Sequence, residues 1–258
     1  MPLPPPPSRP DPNHVATEQE LREDLAAAYR LIALHGMTDL VFTHLSVRVP
    51  GEGHRFLVNP YGLLFEEVTA SCLVLVDADG EPRQKTTWPV NPAGFVIHSA
   101  LHMAREDAHA VMHLHTPHGQ AVSAMAEGLL PHTQTAMIAK HDVAYHEYEG
   151  IATYLEERER LVEDMGTKNA MILRNHGTLT VGETVAQCFL RLYFLERACE
   201  AQVKMLSAGR DGLYNPPQGT PEKVEQQSNG PGMSMVADHL AWPALLRKLD
   251  RIDPSFRN

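Results

Sequence analysis

The sequence predicts an α/β or α+β protein in which helices cover both faces of a mixed sheet. Two observations support this fold class. Short apolar runs rich in β-branched residues alternate irregularly with longer segments of helical periodicity, and no internal repeat is visible. A chain of 258 residues is also long enough to bury a sizeable core.

The predicted helices carry recognisable start and stop signals. Thr17 followed by Glu20 is a capping-box pattern, so the first helix should begin near Thr17, and Gly36 should end it. Asn91 is a good N-cap for a second helix from about Pro92 to Arg105. Apolar spacing predicts further helices over residues 119–127, 151–165, 184–206 and 235–249. Residues 208–232, rich in glycine, proline and glutamine, are expected to form a surface excursion.

The predicted strands are short and apolar. The first covers residues 42–51, which alternate in polarity and end in a turn at Pro50 and Gly51. Further strands are predicted in the segments RFLVNP, CLVLVD, HAVMHLH, AMILRNHG and TLTVG. The segment TAMIAKHDVAYHEY, residues 135–148, is interpreted as one or two strands.

Composition and charge exclude several classes of function. The net charge of −10 argues against nucleic acid as a main partner. No uninterrupted apolar run reaches the roughly 18 residues of a membrane span. Residues 1–14 form a proline-rich tail without signal-peptide features, which we expect to be disordered. The three cysteines are far apart and contain no CxxC pair, so they are interpreted as reduced, buried thiols of a cytoplasmic protein.

The most informative motif is His113-Leu114-His115, at the end of an apolar run typical of a strand. Residues two apart in a strand lie on the same face, so both imidazoles should emerge side by side. His176 ends a later apolar run, and two strands that end at the same edge of a sheet could bring the three rings together. Three neutral imidazoles with a free coordination position describe a catalytic transition-metal site. The alternative is ordinary hydrogen-bonded histidines, since the chain has 15 of them.

Two segments together resemble the class II aldolase/adducin family: HLHTPHGQAVSA and, about sixty residues later, RNHGTLTVG. The resemblance covers roughly residues 17–250 and predicts one domain over 15–250 that includes a C-terminal helical extension. It implies a three-layer α/β/α fold around a mixed, largely antiparallel sheet, and a homotetramer with active sites between subunits. It also implies that His113, His115 and His176 hold a divalent metal, usually zinc, with iron, manganese or cobalt as alternatives.

The chain departs from the sugar-phosphate aldolases of this family at their acid/base residue. Those enzymes carry a glutamate nineteen residues before the first ligand histidine, where this chain has Gly94. His98 lies one helical turn further on and could act as acid/base instead, or it could simply pack the helix on the sheet. His118 could line the metal site or be a solvated loop residue, and His102 and His109 are expected on the surface.

A second departure concerns the segments that bind the substrate phosphate in those aldolases. They are rich in glycine and small hydroxyl residues, whereas this chain places His44 in the first segment and Asn59 and Tyr61 in the second. Glycine and small hydroxyl residues leave backbone N–H groups open to an anion, whereas rings fill that space. We therefore expect these three residues to bind a small, non-phosphorylated molecule.

The leading functional hypothesis is a metal-dependent lyase that acts on a small hydroxy or keto acid. The metal would act as a Lewis acid as a carbon–carbon bond breaks. The missing glutamate favours decarboxylation over aldol cleavage, because decarboxylation needs no base for a hydroxyl proton. Two alternatives remain: an Fe(II) oxygenase that acts on an aromatic acid, and a non-catalytic interaction module of the adducin type.

Overall fold

The computed structural model describes residues 14–51, 53–150 and 157–258, without the side chains of residues 92–95. The predicted tail over residues 1–14 lies outside this range except for its last residue. The first six residues of the helix predicted over 151–165 also lie outside it. The domain boundaries at residues 15 and 250 therefore remain predictions.

The structure consists of one sheet flanked by helices. The helices are α1 (Glu18–Leu34), α2 (Pro92–Ala104), α3 (Pro117–Ser123), α4 (Gln134–Lys140), α5 (Glu157–Met165), α6 (Val185–Leu206), α7 (Thr220–Ser228), α8 (Pro231–Val236) and α9 (Trp242–Ile252). The strands are β1 (His44–Val49), β2 (Arg55–Val58), β3 (Val74–Val76), β4 (Ala110–Leu114), β5 (Val143–His146), β6 (Ala170–Leu173) and β7 (Gly177–Gly182).

The sheet has seven strands in the order β3-β2-β1-β4-β7-β6-β5. Five of its six neighbouring pairs are antiparallel, and only β5 and β6 run parallel. Strands β4 and β6 both pair antiparallel with β7, so they run in the same direction and end at the same edge of the sheet. The predicted mixed, largely antiparallel sheet is confirmed.

Strand β4 shows how the sheet separates two helical layers. Ala110, Met112 and Leu114 belong to an apolar cluster shared with α1 and α6. Val111 belongs to a second cluster, formed with α2 and α5. Because successive side chains of a strand point to opposite faces, His113 shares the α2 face with Val111. The prediction of three α/β/α layers is thereby confirmed.

One predicted element was wrong in part. Residues 134–140 form α4 and not a strand, because the Thr133 hydroxyl caps the helix by accepting from the Ala136 amide at 3.1 Å. Only Val143–His146 of this segment form a strand, β5. The predicted surface excursion over residues 208–232 contains no buried residue, and it includes α7 and the start of α8 at Pro231.

Two of the three cysteines have the burial that the sequence predicts. Cys72, Cys188 and Cys199 are free thiols; Cys188 and Cys199 are buried, whereas Cys72 is partly exposed because it lies in a short surface turn before β3. Burial raises the pKa of Cys188 to about 12, so this thiol stays protonated and unreactive. Among the described residues, no helix has the length and hydropathy that a membrane crossing requires.

The C-terminal helices are tied to α1 through a partly buried acid. The Trp242 indole N–H donates to the Asp24 carboxylate at 2.8 Å. Burial raises the pKa of Asp24 from 3.8 to about 6, although the Trp242 hydrogen bond opposes this. The folded state therefore holds the Asp24 proton more tightly than the unfolded chain does. This contribution to stability is present below pH 4 and is lost as the pH rises towards 6.

We expect Asp24→Asn to stabilise the protein at pH 8 by about 1 to 3 kcal/mol, because the amide accepts the same hydrogen bond without a buried charge. Urea denaturation of both proteins at several pH values measures the gain. The gain should be small at pH 4 and should reach its plateau above pH 6. A gain that does not change with pH would contradict the assignment, and Asp211→Asn, at an exposed aspartate, is the matched control.

Candidate metal centre and active site

Three imidazoles meet where β4 and β6 end. His113 is the last residue but one of β4, and His115 is the first residue after that strand. His176 lies in the tight connection between β6 and β7. The Nε2 atom of His115 is 2.8 Å from the Nε2 atoms of both His113 and His176. The ligand atoms of all three lie within 4.8 Å of one another. Strands β4 and β6 thus bring together residues about sixty positions apart in the chain.

Hydrogen bonds at the outer nitrogens fix how two of these rings are protonated. The Nδ1 atom of His113 lies 2.9 Å from the carbonyl oxygen of Thr178, and Nδ1 of His115 lies 3.1 Å from a carboxylate oxygen of Asp39. Both partners only accept, so both Nδ1 atoms carry the proton and both Nε2 atoms carry a lone pair. Two lone pairs that face each other at 2.8 Å repel unless a cation lies between them. The donor set therefore fits a metal ion.

Burial keeps the three rings neutral. It lowers the pKa of His113 well below its usual range and that of His176 to about 4, and the neighbouring rings add to both shifts. Burial also lowers the pKa of His115, although the Asp39 carboxylate opposes this. Neutral imidazole is the form that ligates metals, so the site needs no deprotonation step near neutral pH.

The segment between α1 and β1 forms one wall of the site. Leu40 and Thr43 have φ angles of 49° and 68°, in the left-handed region that residues other than glycine rarely adopt. This strained turn holds Asp39 against His115. Leu40 and Phe42 are exposed on it, and the centroid of the half-exposed Tyr148 ring lies 6.0 Å from that of His176.

A buried polar chain runs from the metal centre to the far end of α2. His44 pairs with His113 across β1 and β4, and their ring centroids are 5.3 Å apart. Nδ1 of His44 is 2.8 Å from Nε2 of His98, whose Nδ1 is 2.7 Å from the Ser46 hydroxyl. That hydroxyl is 2.7 Å from Nε2 of His102. The expectation that His102 lies on the surface was wrong, because it is 1% exposed, whereas His109 is exposed as predicted.

A buried acid braces the strand ends from the opposite side. The hydroxyls of Thr116 and Thr178 both donate to the carboxyl group of Glu196, which α6 holds beneath the site. Burial raises the pKa of this carboxyl group, and the two hydroxyl donors oppose the shift. Since the Thr178 carbonyl accepts from His113, Glu196 supports the orientation of that ring through one intermediate residue.

The other sequence-predicted residues are less closely tied to the triad. Asn59 is buried, and its Oδ1 accepts from the Tyr29 hydroxyl at 2.8 Å. Tyr61 is partly exposed and its amide donates to Pro89 at 2.9 Å. His118 is partly exposed in the first turn of α3. Their substrate-binding and catalytic roles stay predictions.

Several functional candidates were missed from the sequence. Asp39 and Glu196 gave no signal, because their spacing from the histidines has no fixed pattern. Ser46 and His102, in contrast, could have been found from their spacing in the sequence. Ser46 lies two residues after His44 in a strand and His102 lies four residues after His98 in a helix, so each pair occupies one face. Only the packing of that helix on that strand unites the two pairs.

The chain belongs to the class II aldolase/adducin family. The family profile described as "Class II Aldolase and Adducin N-terminal domain" matches residues 23–203. An aldolase II superfamily protein from Pseudomonas syringae has the same fold, with a TM-score of 0.87 and 50% sequence identity over 95% of this chain and 98% of that one.

Relatives with named roles fall into two groups. The structure of L-fuculose 1-phosphate aldolase from Glaciozyma antarctica superposes with a TM-score of 0.82 at 30% identity, over 96% of this chain and 97% of that one. Alpha-adducin of Mus musculus is 45% identical over 247 residues, which cover 91% of this chain and 34% of the adducin. The chain is therefore similar both to an aldolase and to one third of a longer protein.

Proposed function

We propose that this protein is a metal-dependent carbon–carbon lyase that acts on a small, non-phosphorylated hydroxy or keto acid. His113, His115 and His176 would hold one divalent cation, with zinc as the first candidate. The observation that carries the proposal is the convergence of three neutral rings, two of which present bare Nε2 lone pairs to each other.

A cation at this position would supply Lewis-acid stabilisation of negative charge on a substrate oxygen. The protein's own residues would orient and desolvate the ligand. Asp39 and the Thr178 carbonyl hold two rings in the ligating form, and the exposed Tyr148 ring lies 6.0 Å from that of His176. An aromatic ring at this position suits a ligand with an apolar or aromatic portion.

The reaction type follows from which proton-transfer groups are present. Gly94 stands where the aldolases of the family have a carboxylate, so aldol cleavage lacks its usual base. In decarboxylation the bond between carbon and the carboxylate breaks, CO₂ leaves, and the electron pair moves into the substrate carbonyl. The only proton that must then move is the one taken up by the carbon that held the carboxylate. Burial lowers the pKa of His44 to about 3 and that of His98 well below its usual range, so both rings are weak bases for a hydroxyl proton.

Elemental analysis of the purified protein tests the metal, and a substrate panel tests the reaction. The panel contains hydroxy acids, keto acids and, because of the relative from Glaciozyma antarctica, L-fuculose 1-phosphate. Release of CO₂ or an aldehyde from an acid supports the proposal, and turnover of only the sugar phosphate contradicts it. Bound iron together with oxygen uptake would instead support an oxygenase.

A second candidate is a non-catalytic interaction module, which the 45% identity to alpha-adducin favours. A protein that binds no metal and turns over nothing in the panel would support it.

Assembly as a homotetramer and a cytoplasmic location are also proposed from the family. Light scattering and fractionation of cells check these two expectations.

We expect Asp39→Asn to weaken metal binding by 10-fold to about 100-fold, because a neutral amide no longer fixes the His115 proton on Nδ1. Competition with a chromophoric chelator measures the affinity. Asp79→Asn, at an exposed aspartate, is the matched control and should leave the affinity unchanged. Equal affinity of wild type and Asp39→Asn would show that this carboxylate does not support the centre.

A further inference from the structure

Side chains from one face of β1 and one face of α2 are hydrogen-bonded to each other. His44, Ser46 and Arg48 are alternate residues of β1 and so lie on one face of it. His98 and His102 are one turn apart on α2, which packs over that face. The His98 ring is hydrogen-bonded to the side chains of both His44 and Ser46. The His102 ring is hydrogen-bonded to Ser46, and the His102 carbonyl oxygen accepts from the Arg48 guanidinium. We call His44, His98, Ser46 and His102 the relay.

The far end of the relay fixes the direction of every hydrogen bond in it. Nδ1 of His102 is 2.7 Å from the Ala108 carbonyl oxygen, which only accepts, so Nδ1 carries the proton and Nε2 of a neutral His102 must accept. The Ser46 hydroxyl therefore donates to His102 and accepts from Nδ1 of His98. Nε2 of His98 is then a lone pair that accepts from Nδ1 of His44.

Reversal of this direction would require a second proton on His102. Burial lowers the pKa of His102 to about 3; the Ala108 carbonyl opposes that shift, and the nearby Arg48 guanidinium adds to it. Burial also lowers the pKa of His98 well below its usual range, with His44 and His102 adding to the shift. At neutral pH the relay consequently contains neutral rings only.

The near end of the relay borders the metal centre. His44 is 8% exposed, and its ring lies beside His113. With Nδ1 bound to His98, Nε2 is the ring nitrogen left for a ligand, and no hydrogen bond to it is found within the described residues. Because the two nitrogens of an imidazole point in divergent directions, Nε2 points away from α2. It presents a lone pair.

We propose that the relay fixes His44 as a hydrogen-bond acceptor beside the metal centre, so that the site selects a ligand with a hydroxyl group at this position and disfavours a phosphate or carboxylate oxygen there. His44 is the specificity-determining residue, and Ser46, His98 and His102 are positioning residues. The inference rests on the proposed function only in placing a ligand next to the three metal-binding histidines. It adds a requirement for a hydroxyl group to the proposed substrate class.

Neutron diffraction from crystals of the zinc-loaded, perdeuterated protein tests the hydrogen-bond direction. We expect deuterons on Nδ1 of His44, His98 and His102, and none on Nε2 of His44. A deuteron on Nε2 of His44, or a bond from that atom to the cation, would overturn the proposal. Absence of zinc from the crystals would contradict the proposed function, whereas the deuteron positions in the relay would still decide this inference.

Calorimetric binding of hydroxyacetone and methoxyacetone to the zinc-loaded protein tests selection. The two probes differ only by a methyl group in place of the hydroxyl hydrogen, and we expect hydroxyacetone to bind about fivefold more tightly or better. In His102→Phe the ring that stacks on Phe56 is retained, but the Ser46 hydroxyl loses its acceptor and turns to His98. His44 would then present an N–H.

The preference for hydroxyacetone should therefore fall several-fold in His102→Phe, to the level that methyl size alone sets. His109→Phe makes the same substitution at an exposed histidine outside the relay and should keep the wild-type ratio. An unchanged ratio in His102→Phe would overturn the proposal. A wild-type protein that binds both probes equally would do the same.

Discussion

The variant His176→Ala should lose divalent metal during dialysis that leaves the wild type with one ion per chain. Structural zinc sites with four ligands are worth roughly 10 to 16 kcal/mol, so one ligand contributes about 3 kcal/mol, or more than a hundredfold in affinity. The remaining pair, His113 and His115, would hold a cation far too weakly for catalysis. Plasma mass spectrometry and chelator competition give the stoichiometry and the affinity.

A matched control for this loss is His109→Ala. His109 directly precedes β4, but it is exposed and lies outside the triad. The control should keep one ion per chain and any activity that the wild type shows in the substrate panel. Full retention of metal in His176→Ala would mean that the three rings do not share a cation, and the proposed function would then fail.

The free energy of unfolding of Gly177→Ala should be about 3 kcal/mol lower than that of the wild type, near the upper end of the cost of overpacking a core. A Cβ atom at residue 177 would overlap the backbone carbonyl of Leu114 and would lie 3.2 Å from the His115 ring. The backbone of β4 cannot move aside without breaking its pairing with β7. Urea denaturation monitored by circular dichroism measures the loss.

Gly212→Ala provides the comparison, because a Cβ atom there meets only Ala208 at 3.7 Å, an ordinary contact. Its stability should stay within about 0.5 kcal/mol of the wild type, as is usual for surface substitutions. Gly177→Ala should also bind metal more weakly, since it displaces His115. If Gly177→Ala were as stable as Gly212→Ala, the close contact between residue 177 of β7 and the Leu114 carbonyl of β4 would be contradicted.

The meeting of the three histidines could be predicted from sequence because it depends on local rules. Alternation along β4 and into the residue after it places His113 and His115 on one face whatever their neighbours are, and the turn before Gly177 places His176 at a strand end. The fold class was predicted on the same basis. The three layers and the largely antiparallel pairing required the family resemblance, because strand order is decided by contacts between distant segments.

The relay could not be predicted because it depends on how α2 sits on β1. A shift of α2 by one residue would turn His98 and His102 away from Ser46, and neither element's sequence specifies that register. For the same reason His102 was expected on the surface. Asp39 was missed because its position depends on two left-handed residues, Leu40 and Thr43, that no propensity favours.

The three rings of the proposed metal centre belong to strand ends that meet only after segments about sixty residues apart have paired. An incompletely folded chain has no such pocket, so a cation would bind the native state in preference to any partly folded one. Mass action then couples ion supply to the amount of intact protein, by RT ln(1 + [ion]/Kd). Scarcity of the ion would reduce how many molecules survive proteolysis as well as how many can react.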